Sequence, residues 1–413
     1  MSKKTQYKII SLLSSNSIAI VIPLLCHPII SRLFSPEQIG EYSILQNSLF
    51  IVQTLLLLSL DDAIVKTRKK EELYQLMGSS IYIIKISSIV IFLLLSLNYL
   101  FNLYPIKYSF TLQFSFIITA AISSITLLLN ESKSRNKEFG VLAHNAITKS
   151  ITTNLSKITF GSLSFGLWGL WLGTIIGNIS TLIHHIIHSN RIERLILLRP
   201  KFEVSTLKRH KHFILYQTLS TFVNNLNATL TLVVISHFYS LELSGQYAMA
   251  IGIMEIGIRV IANTYYPIMY KEAIEHPSSI IASLSRKILQ ICMIVIPPLI
   301  IYYFIGVETI SWVLSDKWEI SAKAILLFTP TILIMTIHRS LLFIPFLYNK
   351  QKGSVLFNLL FTVLIFSGIY LSTHFNHPMA PFIAISIAYL LNSLIRIIWY
   401  AYLLFRNHHI HKD

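Results

Sequence analysis

The sequence predicts an all-α integral membrane protein with about twelve transmembrane helices in two six-helix lobes. Its 413 residues are 54% hydrophobic and only 13% charged, which is about half the charged share of an average soluble domain. Apolar runs of about 20 residues, long enough to cross a bilayer, recur from end to end. The segments between these runs alternate between strongly basic and almost uncharged. Too few charges remain to cover the surface of soluble domains.

The apolar runs are separated by charged or Pro/Asn-rich breaks. Their approximate cores are 9–34, 39–64, 76–103, 108–130, 139–163, 165–187, 213–237, 242–268, 284–306, 321–347, 354–373 and 379–404. The runs at 139–163 and 213–237 are more polar than the others. The first run follows a basic start but has no small-residue cleavage site before Pro23, so we expect a membrane helix that is retained.

The loops divide into two sets by charge. Alternate loops, together with both termini, hold 24 Lys and Arg residues, and the intervening loops hold three, Arg32, Lys107 and Lys317. We call these the basic side and the opposite side. The positive-inside rule places the basic side, and therefore both termini, in the cytoplasm.

Several other classes of protein are excluded. The Lys and Arg residues lie between apolar runs and form no continuous stripe, so nucleic acid is not an expected partner. The two cysteines, Cys26 and Cys292, imply neither a disulfide framework nor a metal site. The chain lacks a nucleotide-binding Gly-rich loop, a His-Glu-x-x-His motif and a nucleophile elbow. We therefore expect no enzymatic activity, no cofactor and no metal.

An internal repeat relates the two halves of the chain. Residues 33–45 align with 238–250 at an offset of 205, and the matches are Ser35/Ser240, Glu37/Glu242, Gly40/Gly245 and Tyr42/Tyr247. Because each half has six spans, the halves share one orientation, and parallel repeats of this kind are typical of transporters. The predicted organisation is an N-terminal lobe at 1–190, a cytoplasmic linker at 191–212 and a C-terminal lobe at 213–413.

The first copy of the repeat also carries a longer pattern, P-x-x-x-R-x-[FY]-[ST]-P-E-x-x-G-x-Y. It consists of Pro28, Arg32, Phe34, Ser35, Pro36, Glu37, Gly40 and Tyr42. In this pattern the chain resembles Wzx-type O-antigen and polysaccharide flippases of the multidrug/oligosaccharidyl-lipid/polysaccharide exporter (MOP) superfamily. The twelve spans and the second copy extend the resemblance over essentially the whole chain. One departure is Asp61-Asp62, where many relatives carry Arg-Tyr-Glu, so no role is carried over to these acids.

The resemblance implies a MATE-like fold in which two bundles surround a central cavity. It also implies a function, the passage of undecaprenyl-diphosphate-linked oligosaccharide from the cytoplasmic to the periplasmic leaflet. The implied partners are this lipid-linked glycan, membrane lipids, a polysaccharide polymerase and a chain-length regulator. Nothing in the pattern identifies the sugar.

Charged side chains inside the spans are the candidate substrate ligands. A charge at a helix centre costs about 2.5–3.5 kcal/mol or more, so it usually faces a cavity or a partner. Cationic side chains bind diphosphate by charge-assisted hydrogen bonds, although any one of them could instead form a structural pair. The six candidates are Lys85, Lys149, Lys157, Arg259, Arg339 and Arg396. Lys323, at a helix end, is expected to reach the interface.

Two polar helix faces are predicted to line the cavity. The fifth span presents Asn145, Lys149, Thr152 and Ser156 on one face, and the seventh presents Gln217, Ser220, Thr221, Asn224 and Thr231. Amides and hydroxyls suit sugar hydroxyl groups, and hydrogen bonding between helices is the alternative. In the eighth span, Glu255 and Arg259 lie four residues apart and can pair. Glu255 is either part of a structural ion pair or a protonatable coupling site.

The combined prediction is a lipid-linked oligosaccharide flippase that works by alternating access. A drug or cation exporter of the same superfamily is the first rival, but it would need acids rather than bases in the cavity. A membrane-embedded polysaccharide polymerase or ligase is the second rival, and it generally needs a larger outer loop than the longest one here, at about 307–320. A lipid II flippase, which usually has two further helices, is the third.

Overall fold

The computed structural model describes residues 19, 21–67, 69–101, 109–211, 213–275, 280–348, 350–375 and 377–408. Every regular element in these ranges is helical. The α-helices are α1 (Val21–Leu33), α2 (Pro36–Leu57), α3 (Leu60–Lys66), α4 (Lys70–Phe101), α5 (Phe110–Arg135), α6 (Phe139–Ser162), α7 (Leu167–Ile187), α8 (Arg191–Leu198), α9 (Val204–Arg209), α10 (Thr218–Phe238), α11 (Leu241–Glu275), α12 (Ile280–Leu314), α13 (Glu319–Leu327), α14 (Thr329–Ser340), α15 (Ile344–Leu347), α16 (Gln351–Ser372) and α17 (Ala380–His408). A π-helical turn, Phe213–Gln217, precedes α10, and a 3-10 turn, Asp316–Trp318, precedes α13.

Each of the twelve predicted runs corresponds, within the described residues, to one helix or to a broken helix; residues 9–18 of the first run lie outside them. The second run is broken into α2 and α3, and the tenth into α13, α14 and α15. Within the described residues, nine helices are long and apolar enough to cross a membrane. The run at 139–163, noted above as polar, forms α6 but is not among the nine, whereas the run at 213–237 is.

The break in the second run occurs at Leu58 and Ser59. Both residues have left-handed backbone angles, with φ of 50° and 51°, which few non-glycine residues adopt. The chain then starts α3, whose first turn contains Asp61 and Asp62. Carboxylates are favoured at this position because the amino end of a helix carries partial positive charge.

Contacts divide the chain into two compact units. Unit 1 contains Leu45–Leu226 and the part of α1 that ends at Cys26, and unit 2 contains His27–Ile44 and the chain from Asn227 onward. The division at 226/227 lies inside α10, and α8 and α9 of the predicted linker belong to unit 1. Hydrogen bonds explain why the start of α10 belongs there, since Asn225 donates to Thr54 Oγ1 at 2.9 Å. The predicted lobe boundaries stay a prediction.

Close packing of α6 against α7 dominates unit 1. A Cβ atom on Gly173 would lie 2.5 Å from Lys157 Cγ, and one on Gly177 would collide with Thr153 Oγ1. The glycines at 169, 173 and 177 therefore let two membrane helices approach closely, which is the usual role of small residues at four-residue spacing.

Two apolar clusters form the core of unit 2. The first joins α10, α11, α13, α16 and α17 through residues such as Ile235, Phe328 and Phe382. The second joins α11, α12, α14 and α17 around Met269 and Tyr400. Together they fix the positions of the helices that carry the charged residues of this unit.

Within unit 2 the two copies of the internal repeat pack against each other. A Cβ atom on Gly245 would collide with the Pro36 carbonyl oxygen and lie 3.0 Å from Gly40 N, while one on Gly40 would collide with the Leu241 carbonyl oxygen. The two glycines are equivalent positions of the repeat. Glycine is needed at each of these positions because the backbone of the other copy passes too close for a Cβ atom.

The last turn of α1 is hydrogen-bonded to the end of α12 and to the 3-10 turn that follows it. Trp318 Nε1 donates to the Ser31 carbonyl oxygen at 2.9 Å, and Lys317 Nζ donates to the Arg32 carbonyl oxygen at 3.1 Å. Ser31 Oγ donates to the Leu314 carbonyl oxygen at 2.9 Å. Arg32 and Lys317 are therefore neighbours, as the predicted assignment of both loops to the opposite side requires.

Candidate substrate-binding site

The clearest charged cluster of unit 2 surrounds Glu255 on α11. Both carboxylate oxygens of Glu255 accept hydrogen bonds from Arg339 on α14, at 2.6 and 2.5 Å. Arg259, one turn along α11, lies 3.6 Å from Glu255 Oε2 and donates Nε–H to the Glu255 carbonyl oxygen at 3.2 Å. Two guanidinium groups thus share one carboxylate, and the cluster keeps a net positive charge.

The two arginines of this cluster differ in accessibility. The side chain of Arg259 is 56% exposed, against 28% for Arg339. Sequence spacing predicted the Glu255–Arg259 pair, and the structure contains it, but the bidentate partner is Arg339. That partner is 84 residues away in the chain, so helical spacing carried no signal for it.

Arg396 lies in a separate polar network between α16 and α17. It is only 5% exposed, and it donates to Asn358 Oδ1 at 2.6 Å and to Asn392 Oδ1 at 3.2 Å. The ring of Phe357 lies 5.7 Å from its guanidinium carbon. Asn227 joins the network by donating to the Asn358 carbonyl oxygen at 3.1 Å. Arg396 therefore links α10, α16 and α17 through amides.

The three candidate lysines of unit 1 have different surroundings. Lys85 Nζ donates to the Leu197 carbonyl oxygen at 3.0 Å, at the carboxyl end of α8, where a cation is favoured. The stem of Lys157 packs over Gly173. Lys149 is exposed, and the described part of the chain offers it no hydrogen-bond or ion-pair partner.

The polar face of α6 is partly used in packing between helices. Asn145 Nδ2 bonds with His185 Nε2 at 2.6 Å and donates to Asn130 Oδ1 at 3.3 Å, so Asn145 is buried in a polar triad. Thr152 Oγ1 bonds with Ser180 Oγ of α7 at 2.8 Å. Lys149, on the turn between them, is the exposed member of this face.

The amides predicted for the seventh span remain accessible. Gln217, in the π-helical turn, is half-buried, and Asn224 on α10 is exposed. No hydrogen bond involves either amide within the described residues. The structure thus leaves both amides available and brings only Glu255, Arg259 and Arg339 together among the predicted site residues.

Sequence reasoning missed two groups of charged residues in unit 1. Lys133, 1% exposed, lies 3.1 Å from Glu193 Oε2 and 3.2 Å from Glu138 Oε2. Glu131 on α5 lies within electrostatic reach of Asp61 and Asp62. Lys133 lies beyond the fourth predicted run at 108–130, and Glu131 is separated from the Asp pair by a whole helix. Neither association leaves a local signal.

The comparisons with known proteins place this geometry in a family. The family model described as "Polysaccharide biosynthesis protein" matches residues 29–323, which is more than half of the chain. The chain belongs to this family. No curated protein matches the sequence significantly.

Several solved structures share the fold of this member of the polysaccharide biosynthesis family. The lipid II flippase MurJ, in an inward closed conformation, aligns with a TM-score of 0.71 at 16% identity. The alignment covers 94% of this chain and 87% of the MurJ chain. An inward-facing multidrug resistance MATE transporter of the MOP superfamily aligns with a TM-score of 0.70 at 14% identity. The alignment covers 96% of this chain and 98% of the MATE chain. A MOP superfamily transporter from Pyrococcus furiosus, described as having a binding pocket of reverse polarity, aligns with a TM-score of 0.67 at 12% identity over 98% of this chain and 98% of its own.

These likenesses confirm the predicted all-α, MATE-like membrane fold, and the family match confirms the predicted relationship to polysaccharide biosynthesis proteins. The chain is a multi-pass membrane protein with the fold of a flippase or exporter. At identities of 12–16% the structures establish the fold alone, and they carry no residue roles to this chain.

Proposed function

We propose that the chain is a flippase of the bacterial inner membrane that moves undecaprenyl-diphosphate-linked oligosaccharide from the cytoplasmic to the periplasmic leaflet. The observation that supports this most directly is uncompensated positive charge on helices of the predicted spans. Lys149 has no partner among the described residues, and Arg259 and Arg339 share one carboxylate. A lipid diphosphate would supply the missing negative charge.

We assign two kinds of role to the candidate residues. Lys149, Lys157, Arg259 and Arg339 are proposed to bind the diphosphate, while Gln217 and Asn224 bind glycan hydroxyls. Lys85, Asn145 and Arg396 are already engaged with helix carbonyls or amides. For these three the contacts support a positioning role, in which they hold α8, α6 and α17 in place.

Glu255 is proposed to couple substrate binding to a change of state. Its carboxylate occupies both arms of the Arg339 fork, and a diphosphate requires the same planar, bidentate donors. Glu255 and substrate would therefore compete for Arg259 and Arg339. Protonation of Glu255, or its withdrawal as α11 and α14 move, would release both guanidinium groups.

The orientation follows from the distribution of basic residues. Lys and Arg number 24 on the basic side and three on the other, so we propose that both termini are cytoplasmic. In that orientation the delivered unit emerges in the periplasm. A polysaccharide polymerase and a chain-length regulator are the partners that would act on it there.

The deciding experiment measures lipid-linked repeat units on each membrane face in cells that lack this chain. We expect loss of surface polysaccharide, with complete units retained on the cytoplasmic face. Complementation with Lys149→Gln or Arg259→Gln should restore membrane insertion but not translocation. The matched control is Lys323→Gln, which removes the same charge from an exposed pair with Glu319 at 2.6 Å.

Three outcomes would contradict the proposal. Complete but unpolymerised units on the periplasmic face would identify the missing step as polymerisation or ligation. Normal surface polysaccharide in a strain without a second flippase would indicate an exporter of other compounds. Full translocation by Lys149→Gln and Arg259→Gln would refute the assigned site, though not the function.

The acids of unit 1 favour a second candidate, a drug or cation exporter of the same superfamily. Asp61, Asp62 and Glu131 bring three carboxylates together, and a cationic substrate would be bound by such a group. The same knockout strain distinguishes this candidate, because loss of an exporter raises sensitivity to cationic drugs and leaves polysaccharide intact.

A further inference from the structure

The segment between α7 and α10 is a strongly basic surface of this protein. We call residues 188–211 the linker segment. It connects two membrane-crossing helices, so it lies at a membrane surface, on the basic side. It holds seven basic residues, and all seven are exposed: Arg191, Arg194, Arg199, Lys201, Lys208, Arg209 and Lys211. Of its two acids, Glu193 is fully buried in the pair with Lys133.

The α8 helix of this segment is held in a fixed orientation. Asn190 and Glu193 form a capping box at its start, and the Glu193 carboxylate also accepts hydrogen bonds from Ser132 and Lys133, both at 3.1 Å. At its end Lys85 binds the Leu197 carbonyl oxygen. A Cβ atom on Gly78 of α4 would lie 3.0 Å from the carbonyl oxygen of Lys201, so the chain after α8 packs closely on α4.

The anchored orientation leaves a mixed face of α8 uncovered. Ile192, Leu195 and Leu198 are 49%, 53% and 75% exposed, and Arg191 and Arg199 are exposed beside them. In water the three aliphatic side chains would form an apolar patch. In hydrocarbon the guanidinium groups would be unfavourable. The headgroup layer satisfies both, because aliphatic side chains reach the acyl boundary while arginines extend to the charged surface.

The cations of this face also lack anionic partners within the protein. In the ranges that the structure describes, no acidic side chain forms an ion pair with Arg191, Arg199 or Lys201. The partner must therefore offer negative charge next to an apolar layer. Anionic phospholipids have this combination, and basic clusters next to membrane helices bind them.

We propose that the outward face of α8, continued to Lys201, binds anionic phospholipid headgroups at the basic-side membrane surface. This goes beyond the transport proposed above and does not depend on it. The bound lipid would hold the segment that joins the sixth and seventh spans against the bilayer. The charge density of the inner leaflet would then influence how readily the spans on either side move.

The test places an environment-sensitive fluorophore at Leu198→Cys in a protein whose Cys26 and Cys292 are replaced by alanine. The protein is reconstituted into vesicles of phosphatidylcholine alone or with phosphatidylglycerol. Quenching is measured with aqueous iodide and with a headgroup spin-labelled lipid. We expect phosphatidylglycerol to reduce iodide quenching roughly twofold or more and to increase quenching by the spin label.

Two variants test whether the charges of the linker segment are responsible. Arg199→Gln/Lys201→Gln should lose the response to phosphatidylglycerol. Lys69→Gln/Lys70→Gln is the matched control, because these two residues are also close in sequence, exposed and on the basic side, and it should keep the response. A label at Leu371, an exposed position on α16, reports whether each variant is still folded in the bilayer.

Equal iodide quenching in the two kinds of vesicle would overturn the proposal. So would an equal loss of the response in both double variants, since net charge rather than this face would then be responsible. Protection of the Leu198 label only after an acidic soluble protein is added would also overturn it, because the surface would then serve a protein partner. None of these readouts requires transport, so failure here is distinguishable from failure of the flippase assignment.

Discussion

Replacing Gly245 with alanine should destabilise the protein severely. The new Cβ atom would collide with the Pro36 carbonyl oxygen, lie 2.6 Å from the Pro36 carbonyl carbon and lie 3.0 Å from Gly40 N. Overpacking typically costs about 1–3 kcal/mol. Here the neighbours are backbone atoms, which cannot rotate away, so we expect about 3 kcal/mol, at the upper end of that range.

Gly252, on the same helix, provides the matched control. Nothing lies within 4 Å of the position that its Cβ atom would occupy. Alanine should therefore be tolerated there and should stabilise α11 by about 0.5–1 kcal/mol through helix propensity. Glycine-to-alanine replacement is thus expected to lower the stability of the fold at position 245 and to raise it at position 252.

The assay is thermal unfolding of the purified variants in one detergent, followed by size-exclusion chromatography. For a compact unit of about 200 residues, 3 kcal/mol corresponds to a fall of roughly 6–12 °C in Tm. The Tm of Gly40→Ala, at the equivalent position of the other repeat, should fall by a similar amount. If Gly245→Ala melted at the temperature of the wild type or of Gly252→Ala, the packing of the two repeats described here would be wrong.

Two further variants test the charged groups, and Glu275→Gln is their common control. Glu275 forms an exposed ion pair with Lys271, and such a pair contributes at most about 1 kcal/mol to stability. Glu255→Gln should bind undecaprenyl diphosphate about tenfold tighter, because Arg339 can then donate one charge-assisted hydrogen bond to the substrate. The same variant should transport more slowly. Equilibrium binding and transport measure this, and unchanged affinity would contradict the competition. Glu193→Gln should cost about 3 kcal/mol, because Lys133 remains buried without its main partner. Unfolding measurements that found no difference from Glu275→Gln would show that this buried pair does not stabilise the fold.

Composition and periodicity alone were enough to predict the class of fold. In lipid every backbone polar group must be satisfied within its own segment, so apolar runs of about 20 residues leave little choice besides helices. The alternation of basic and uncharged loops predicted an even number of spans with both termini on one side, and the position of the termini stays a prediction. The pattern from Pro28 to Tyr42 was specific enough to indicate the polysaccharide biosynthesis family to which the chain belongs.

Predictions about individual charges depended on distance along the chain. Glu255 and Arg259 could be paired from the sequence because four residues make one helical turn. Arg339 could not be assigned to Glu255, since its position depends on how α14 packs against α11. For the same reason the sequence placed Arg396 and Lys85 with Lys149 as candidate cavity cations. Only their contacts distinguish two engaged side chains from one that remains accessible.

The sequence by itself determined the chemistry of this protein: apolar helices, loops that alternate in charge, and cationic side chains inside the predicted spans. The orientation in the membrane stays a prediction. Tertiary structure decided which cations are compensated. It also revealed why the repeat contains Gly40 and Gly245, since the need for glycine arises only where two backbones cross. The physical reason is the same in each case. Hydropathy and charge belong to a residue and can be read from its identity, whereas packing and pairing belong to two residues whose approach depends on the whole fold.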